Sequence, residues 1–120
     1  MTRDVVLVAV DDLFFLAKIG SVAKHVGVAL VEARSARSLE DQLAGEPPRL
    51  VILDLNSTAL APLDQIRRMK TDPRLESTRI VAFLSHVQVE LEQAARAAGC
   101  DEVLPRSRFS SQLAEILKPG

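Results

Sequence analysis

Five short apolar runs, alternating with segments of helical periodicity from one end of the chain to the other, constrain what this sequence can fold into more than any other feature. The first run, VVLVAV at residues 5–10, has no polar face and stops at Asp11 and Asp12. A continuous apolar run of this length reads as a strand covered on both faces. Leu16, Ile19, Ala23 and Val26 then recur at steps of three and four, with Gly27 as a stop, which predicts a helix. Residues 28–33 read as a second strand. Ser35 is placed to cap a helix over 36–44, and Gly45-Glu46-Pro47-Pro48 breaks it.

The third run, residues 50–53, ends at Asp54. Asn56, Ser57 and Thr58 then form a polar loop into a helix carrying Leu63, Ile66 and Met69, closed by Thr71-Asp72-Pro73. Residues 79–84 form a fourth strand ending at Ser85. Leu91, Ala94, Ala95 and Ala98 mark an alanine-rich helix stopped by Gly99, a fifth strand covers about 101–104, and Phe109, Leu113 and Ile116 line one last helix. Such alternation implies an α/β fold: a doubly wound, five-stranded parallel sheet with helices on both faces, because each crossover returns right-handed over the sheet. The 120 residues suit one domain, residues 1–120, with a core of its own.

In such sheets ligands bind outside the carboxyl ends of the strands. Asp11 and Asp12 end the first strand, Asp54 the third and Ser85 the fourth, and Arg106 lies just past the fifth. Parallel neighbours sit about 4.8 Å apart, so these side chains are expected to meet in one shallow cleft. Three crowded carboxylates repel each other and are relieved by a proton, a basic side chain or a cation. Mg²⁺ is the expected cofactor, since it takes one or two carboxylates and keeps waters that a phosphoryl oxygen can replace. An ionised Asp54 beside it can attack phosphorus and form an acyl phosphate. Arg106 would stabilise the charge spread over the transferring group, and Ser85 could donate to it afterwards.

Composition excludes several alternatives. Fifteen basic and sixteen acidic residues nearly balance, and Trp and Tyr are absent, so direct nucleic-acid binding is not expected. The apolar runs are far shorter than the roughly 20 residues that span a bilayer, so no membrane passage is expected. One cysteine, Cys100, cannot form an internal disulfide, and the start of the chain lacks the charged and apolar regions of a secretion signal, which suits the cytoplasm.

Val10-Asp11-Asp12, Val51-Ile52-Leu53-Asp54-Leu55, Phe83-Leu84-Ser85 and Gly99-Cys100-Asp101-Glu102-Val103-Leu104, in this order and spacing, resemble the bacterial response-regulator receiver family of two-component signalling over essentially the whole chain. The resemblance implies a flavodoxin-like sheet of strand order 2-1-3-4-5. It further implies Asp11 and Asp12 as metal-binding acids, Asp54 as phosphoacceptor, the main-chain carbonyl of Asn56 as a further metal ligand, and Ser85 as the switch hydroxyl. The implied partners are a histidine kinase or phosphotransfer protein upstream and a protein target downstream, with any homodimer forming through the fourth helix, fifth strand and last helix. The expected protein is a stand-alone signalling phosphoprotein rather than a conventional enzyme.

This chain departs from the family pattern at several places. Pro105-Arg106-Ser107 replaces the usual lysine and proline after the fifth strand, and an arginine fork is not equivalent to a compact ammonium. Val103 stands where an aromatic switch residue is common, and Thr58 and Pro62 replace a proline and a glycine after the acceptor. His86 follows Ser85 where a small residue is usual, either as a solvent-facing loop residue or as a partial cover on the cleft. These changes sustain a rival reading, a pseudo-receiver that keeps the fold as a protein-interaction module and is not phosphorylated. A flavin or nucleotide carrier is disfavoured because no Gly-rich loop follows the first strand.

Simpler roles stand beside each assignment. Asp11 and Asp12 can be a cap and a solvated turn, Asp54 and Ser85 can cap the elements that follow them, and Arg106 can pair with Asp101 or Glu102 instead of facing the cleft. Cys100 is expected to pack, His25 and the Arg67, Arg68 and Lys70 cluster to face solvent, and Phe14 and Phe15 to anchor the first helix with one of them partly exposed.

Overall fold

A computed structural model of the chain describes residues 2–85 and 88–119. In chain order the elements are β1 (Arg3–Ala9), α1 (Leu13–Val26), β2 (Leu30–Ala33), α2 (Ala36–Ala44), β3 (Pro48–Asp54), α3 (Pro62–Thr71), β4 (Arg79–Leu84), α4 (Val89–Ala98), β5 (Glu102–Pro105), α5 (Arg106–Ser111) and α6 (Leu113–Leu117). The five strands form one parallel sheet in the order β2-β1-β3-β4-β5, as expected.

The period-2 alternation of a strand divides the core in two. Leu7, Ala9, Val51, Leu53, Ala82 and Leu84 pack with Leu39, Ile66 and Ala95 of α2, α3 and α4 on one face. Val6, Val8, Leu50, Ile52, Val81 and Phe83 pack with Ile19 of α1, Phe109 of α5 and Leu113 of α6 on the other. Both faces of β1, β3 and β4 are thereby covered, which is why their sequences show no polar stripe.

Several boundaries differ from those expected: β1 runs from Arg3 to Ala9 rather than over 5–10, and β3 starts at Pro48, inside the expected break, rather than at Leu50. β2 starts at Leu30 rather than Val28, because the Val28 N–H is spent on the Ala23 carbonyl in closing α1, where Gly27 adopts the left-handed conformation (φ 75°). β5 runs to Pro105, tolerated there because β5 is an edge strand. The last helix is two helices, parted at Gln112 (φ −104°, ψ 6°), although Phe109, Leu113, Ile116 and Leu117 are all buried in the same cluster. No Gly or Pro marks that break in the sequence.

Phe15 is buried and Phe14 is 92% exposed, so only one of the pair anchors α1. Cys100 is buried and burial pushes its thiol up to about 11, in keeping with a packing role. Arg67, Arg68 and Lys70 each meet an acid, Asp64, Glu40 and Asp101 respectively, on a solvated surface. Among the described residues no helix is long and apolar enough to cross a membrane.

Candidate functional site

The carboxyl ends of β1, β3 and β4 and the start of α5 bring together Asp11, Asp12, Asp54, Asn56, Ser85 and Arg106. Asp54 ends the central strand β3 and is only 4% exposed. Its Oδ1 accepts from the Asn56 N–H at 2.9 Å, and its Oδ2 lies 3.9 Å from Arg106 Nη2. Burial raises the Asp54 carboxyl above its ordinary value, with the Asn56 N–H and Arg106 opposing and the charges of Asp11 and Asp12 reinforcing that shift.

Asp12 has two tasks. Its Oδ1 caps α1, accepting from the N–H groups of Phe14 (3.0 Å) and Phe15 (3.1 Å), and its Oδ2 accepts from Arg106 Nη1 at 3.3 Å. The Phe15 N–H above all, and then the Arg106 guanidinium, hold the Asp12 carboxyl below its ordinary value against the opposing cost of burial. Asp11 points to the β3–α3 loop, where its Oδ2 accepts from Ser57 Oγ at 2.7 Å.

Arg106 faces the cleft. Asp101 and Glu102, its alternative partners, pair instead with Lys70 and Arg79. Its guanidinium carbon sits 4.5 Å from the ring centroid of Phe15 and 5.4 Å from that of Phe83, within the range of a cation–π contact. Those rings lie 4.9 Å apart, and Phe109 stacks on Phe83 at 4.8 Å, so the charge rests on a packed aromatic base. Arg106 Nε is buried and has no hydrogen-bond partner among the described residues.

Asn56 ties two loops across the cleft. Its Oδ1 accepts from the Ser85 N–H at 2.6 Å and its Nδ2 donates to Gln88 Oε1 at 2.8 Å. The side chains of Ser57, Gln88, Phe15 and Phe83 therefore belong to the site although the sequence gives none of them a role in it. A hydroxyl or amide beside an acidic strand end was the available signal for Ser57; the phenylalanines read only as core. Val103 is buried beneath α4, in the α2, α3 and α4 layer of the core. The cover assigned to His86 lies outside the described residues.

The carboxylates and the Asn56 carbonyl are the hard oxygen donors that a divalent ion such as Mg²⁺ takes. They fit the ion in chemistry and not in present arrangement: among the described residues no group of three or more His, Cys, Asp or Glu stands ready to hold a metal. Arg106 and Ser57 hold the acids instead.

No protein-family model and no curated protein sequence matches the chain. Solved structures do. A response regulator from Hahella chejuensis is similar with 20% identity and a TM-score of 0.87, over 96% of this chain and 92% of that one. The phosphorylated cyanobacterial phytochrome response regulator RcpA is similar at 18% identity and a TM-score of 0.82, covering 98% and 90%. The Mn²⁺-bound form of response regulator Rcp1 is similar at 16% identity and 0.81, covering 95% and 91%. The chain thus has the flavodoxin-like fold of response-regulator receiver domains.

Proposed function

We propose that this chain is a signalling receiver that accepts a phosphoryl group on Asp54. The observation that carries the reading is a buried carboxylate at the end of the central strand, facing a guanidinium, with Ser85 ending the neighbouring strand run. In the reaction a carboxylate oxygen of Asp54 forms a bond to phosphorus as the P–N bond of a phosphohistidine, or the P–O bond of acetyl phosphate, breaks. The bonding pair leaves with the imidazole or the acetate. Arg106, close to Asp54 Oδ2, supplies positive charge to the equatorial oxygens. Ser85 is proposed to donate its hydroxyl to the phosphoryl group once formed.

Mg²⁺ is proposed as cofactor, held by Asp11, Asp12, Asp54 and the Asn56 main-chain carbonyl; a Mn²⁺-bound neighbour of the same fold supports this. When bound, it would supply counter-charge to the phosphoryl oxygens. The proposed donor is a cytoplasmic histidine kinase or phosphotransfer protein. The output is a protein contact, with the face of α4, β5 and the last helix, here α5 and α6, as the proposed dimer surface. Two added negative charges beside two loops tied through Asn56 are a physical means of shifting them.

A second reading, the pseudo-receiver, is favoured by the Arg106–Asp12 ion pair, which leaves the acids committed to one another's partners rather than to a metal. Incubation with Mg²⁺ and acetyl phosphate, followed by intact mass, separates the two. Addition of one phosphoryl group to the wild type and none to Asp54→Asn supports the receiver. A wild type as inert as Asp54→Asn supports the pseudo-receiver and removes the leading reading.

A further inference from the structure

We infer that Arg106 is the resident counter-cation of this acid cluster and competes with divalent metal for it, so that metal binds only as the guanidinium withdraws. The inference deepens the proposed function, resting on the reading that the cluster takes a cation.

The competition is over particular atoms. Asp12 Oδ1 is engaged by the Phe14 and Phe15 N–H groups, and Asp54 Oδ1 by the Asn56 N–H. Each acid therefore offers one remaining oxygen, Oδ2, toward the cleft. Those are the two atoms Arg106 faces, with Nη1 at 3.3 Å from Asp12 Oδ2 and Nη2 at 3.9 Å from Asp54 Oδ2. A metal ion drawing on both acids most readily takes the same two oxygens, because Asp12 Oδ1 is filled by two N–H groups and Asp54 Oδ1 already serves the Asn56 N–H. Asp11, the third acid, is held by Ser57 rather than by Arg106, so an incoming ion can take it at the expense of one hydroxyl bond.

Part of what keeps Arg106 in place is independent of the acids. Its planar head rests on Phe15 and Phe83, rings that are themselves packed on Phe109. A guanidinium uses two nitrogens of one edge to address two carboxylates while its face lies on the rings; an ammonium is a point charge with neither property. Arginine in place of lysine at this position therefore makes a better-fitting internal cation and a stronger competitor.

Isothermal titration of Mg²⁺, and separately Mn²⁺, into the wild type, Arg106→Lys and Arg106→Ala tests this, with thermal melts confirming that each variant folds. Arg106→Ala is expected to bind each ion at least tenfold more tightly than the wild type, and Arg106→Lys to fall between them. The lysine variant keeps the charge and serves if the alanine variant does not fold. Equal or weaker affinity in the folded variants overturns the competition while leaving metal use by the cluster intact. No binding by any of the three proteins overturns both the competition and the proposed metal site.

Discussion

Arg106 Nη1 lies 3.3 Å from Asp12 Oδ2, a contact that joins the start of α5 to the start of α1 across 94 positions of sequence. The same guanidinium approaches Asp54 at the end of β3, so a single side chain links the first, third and fifth strand ends of the sheet. The parallel order β2-β1-β3-β4-β5 makes this possible by setting β1 and β3 side by side at its centre. Several consequences can be measured.

Asp54→Asn should stabilise the fold at neutral pH by roughly 1 kcal/mol, because it removes a buried charge from a group of like charges while keeping an acceptor for the Asn56 N–H. The Asp54 carboxyl titrates above its ordinary value of 3.8 in the folded state, so its ionisation destabilises. Wild-type stability relative to the variant should therefore rise as pH falls through that raised value, and the two should converge in acid. Urea unfolding across pH checks both the sign and the convergence.

Asp12 behaves in the opposite sense. Asp12→Ala removes the acceptor for two N–H groups of α1 and should cost about 1 kcal/mol at pH 7, whereas Asp12→Asn should cost less. The folded-state carboxyl titrates below its ordinary value of 3.8, so its contribution is present above that value and lost as pH falls through the lowered one. Thermal melts of both variants at neutral and acid pH report the difference.

Asn56→Ala should loosen the tie between the β3–α3 and β4–α4 loops, since the same amide accepts from Ser85 and donates to Gln88. Faster hydrogen exchange at the Ser85 amide, with a loss of stability of about 0.5–1.5 kcal/mol, is the expected result. Unchanged exchange would show that the tie does not limit opening.

Ala61 has φ 48° and ψ 56°, a left-handed conformation at the entry to α3 that costs a residue with a Cβ roughly 1–2 kcal/mol. Ala61→Gly should be stabilising by about 0.5–1 kcal/mol after the greater chain entropy of glycine is subtracted. Chemical denaturation measures this directly.

The strands and their order of succession were legible because burial on both faces leaves continuous apolar runs, as at residues 5–10 and 79–84, and the helix stops at Gly27 and Gly99 have a backbone reason that the residue type announces. Asp11, Asp12 and Asp54 stood out because acids ending apolar strands are conspicuous. The Gln112 break has no sequence signal, since glutamine is a good helix former and apolar spacing continues through it. The aromatic base under Arg106 was equally hidden: Phe15, Phe83 and Phe109 come from three distant segments, and nothing in their local sequence distinguishes a ring that supports a charge from one that fills the core. Ala61 carries no mark of its left-handed backbone, since the residue type argues against it.

The measurement that bears most directly on the account is the position of the phosphoryl group. Protein treated with acetyl phosphate and Mg²⁺, reduced with borohydride and mapped by peptide mass spectrometry, is expected to carry homoserine at position 54 and at no other acid. Homoserine at position 11 or 12 instead, or its absence from a folded protein, would contradict Asp54 as the acceptor.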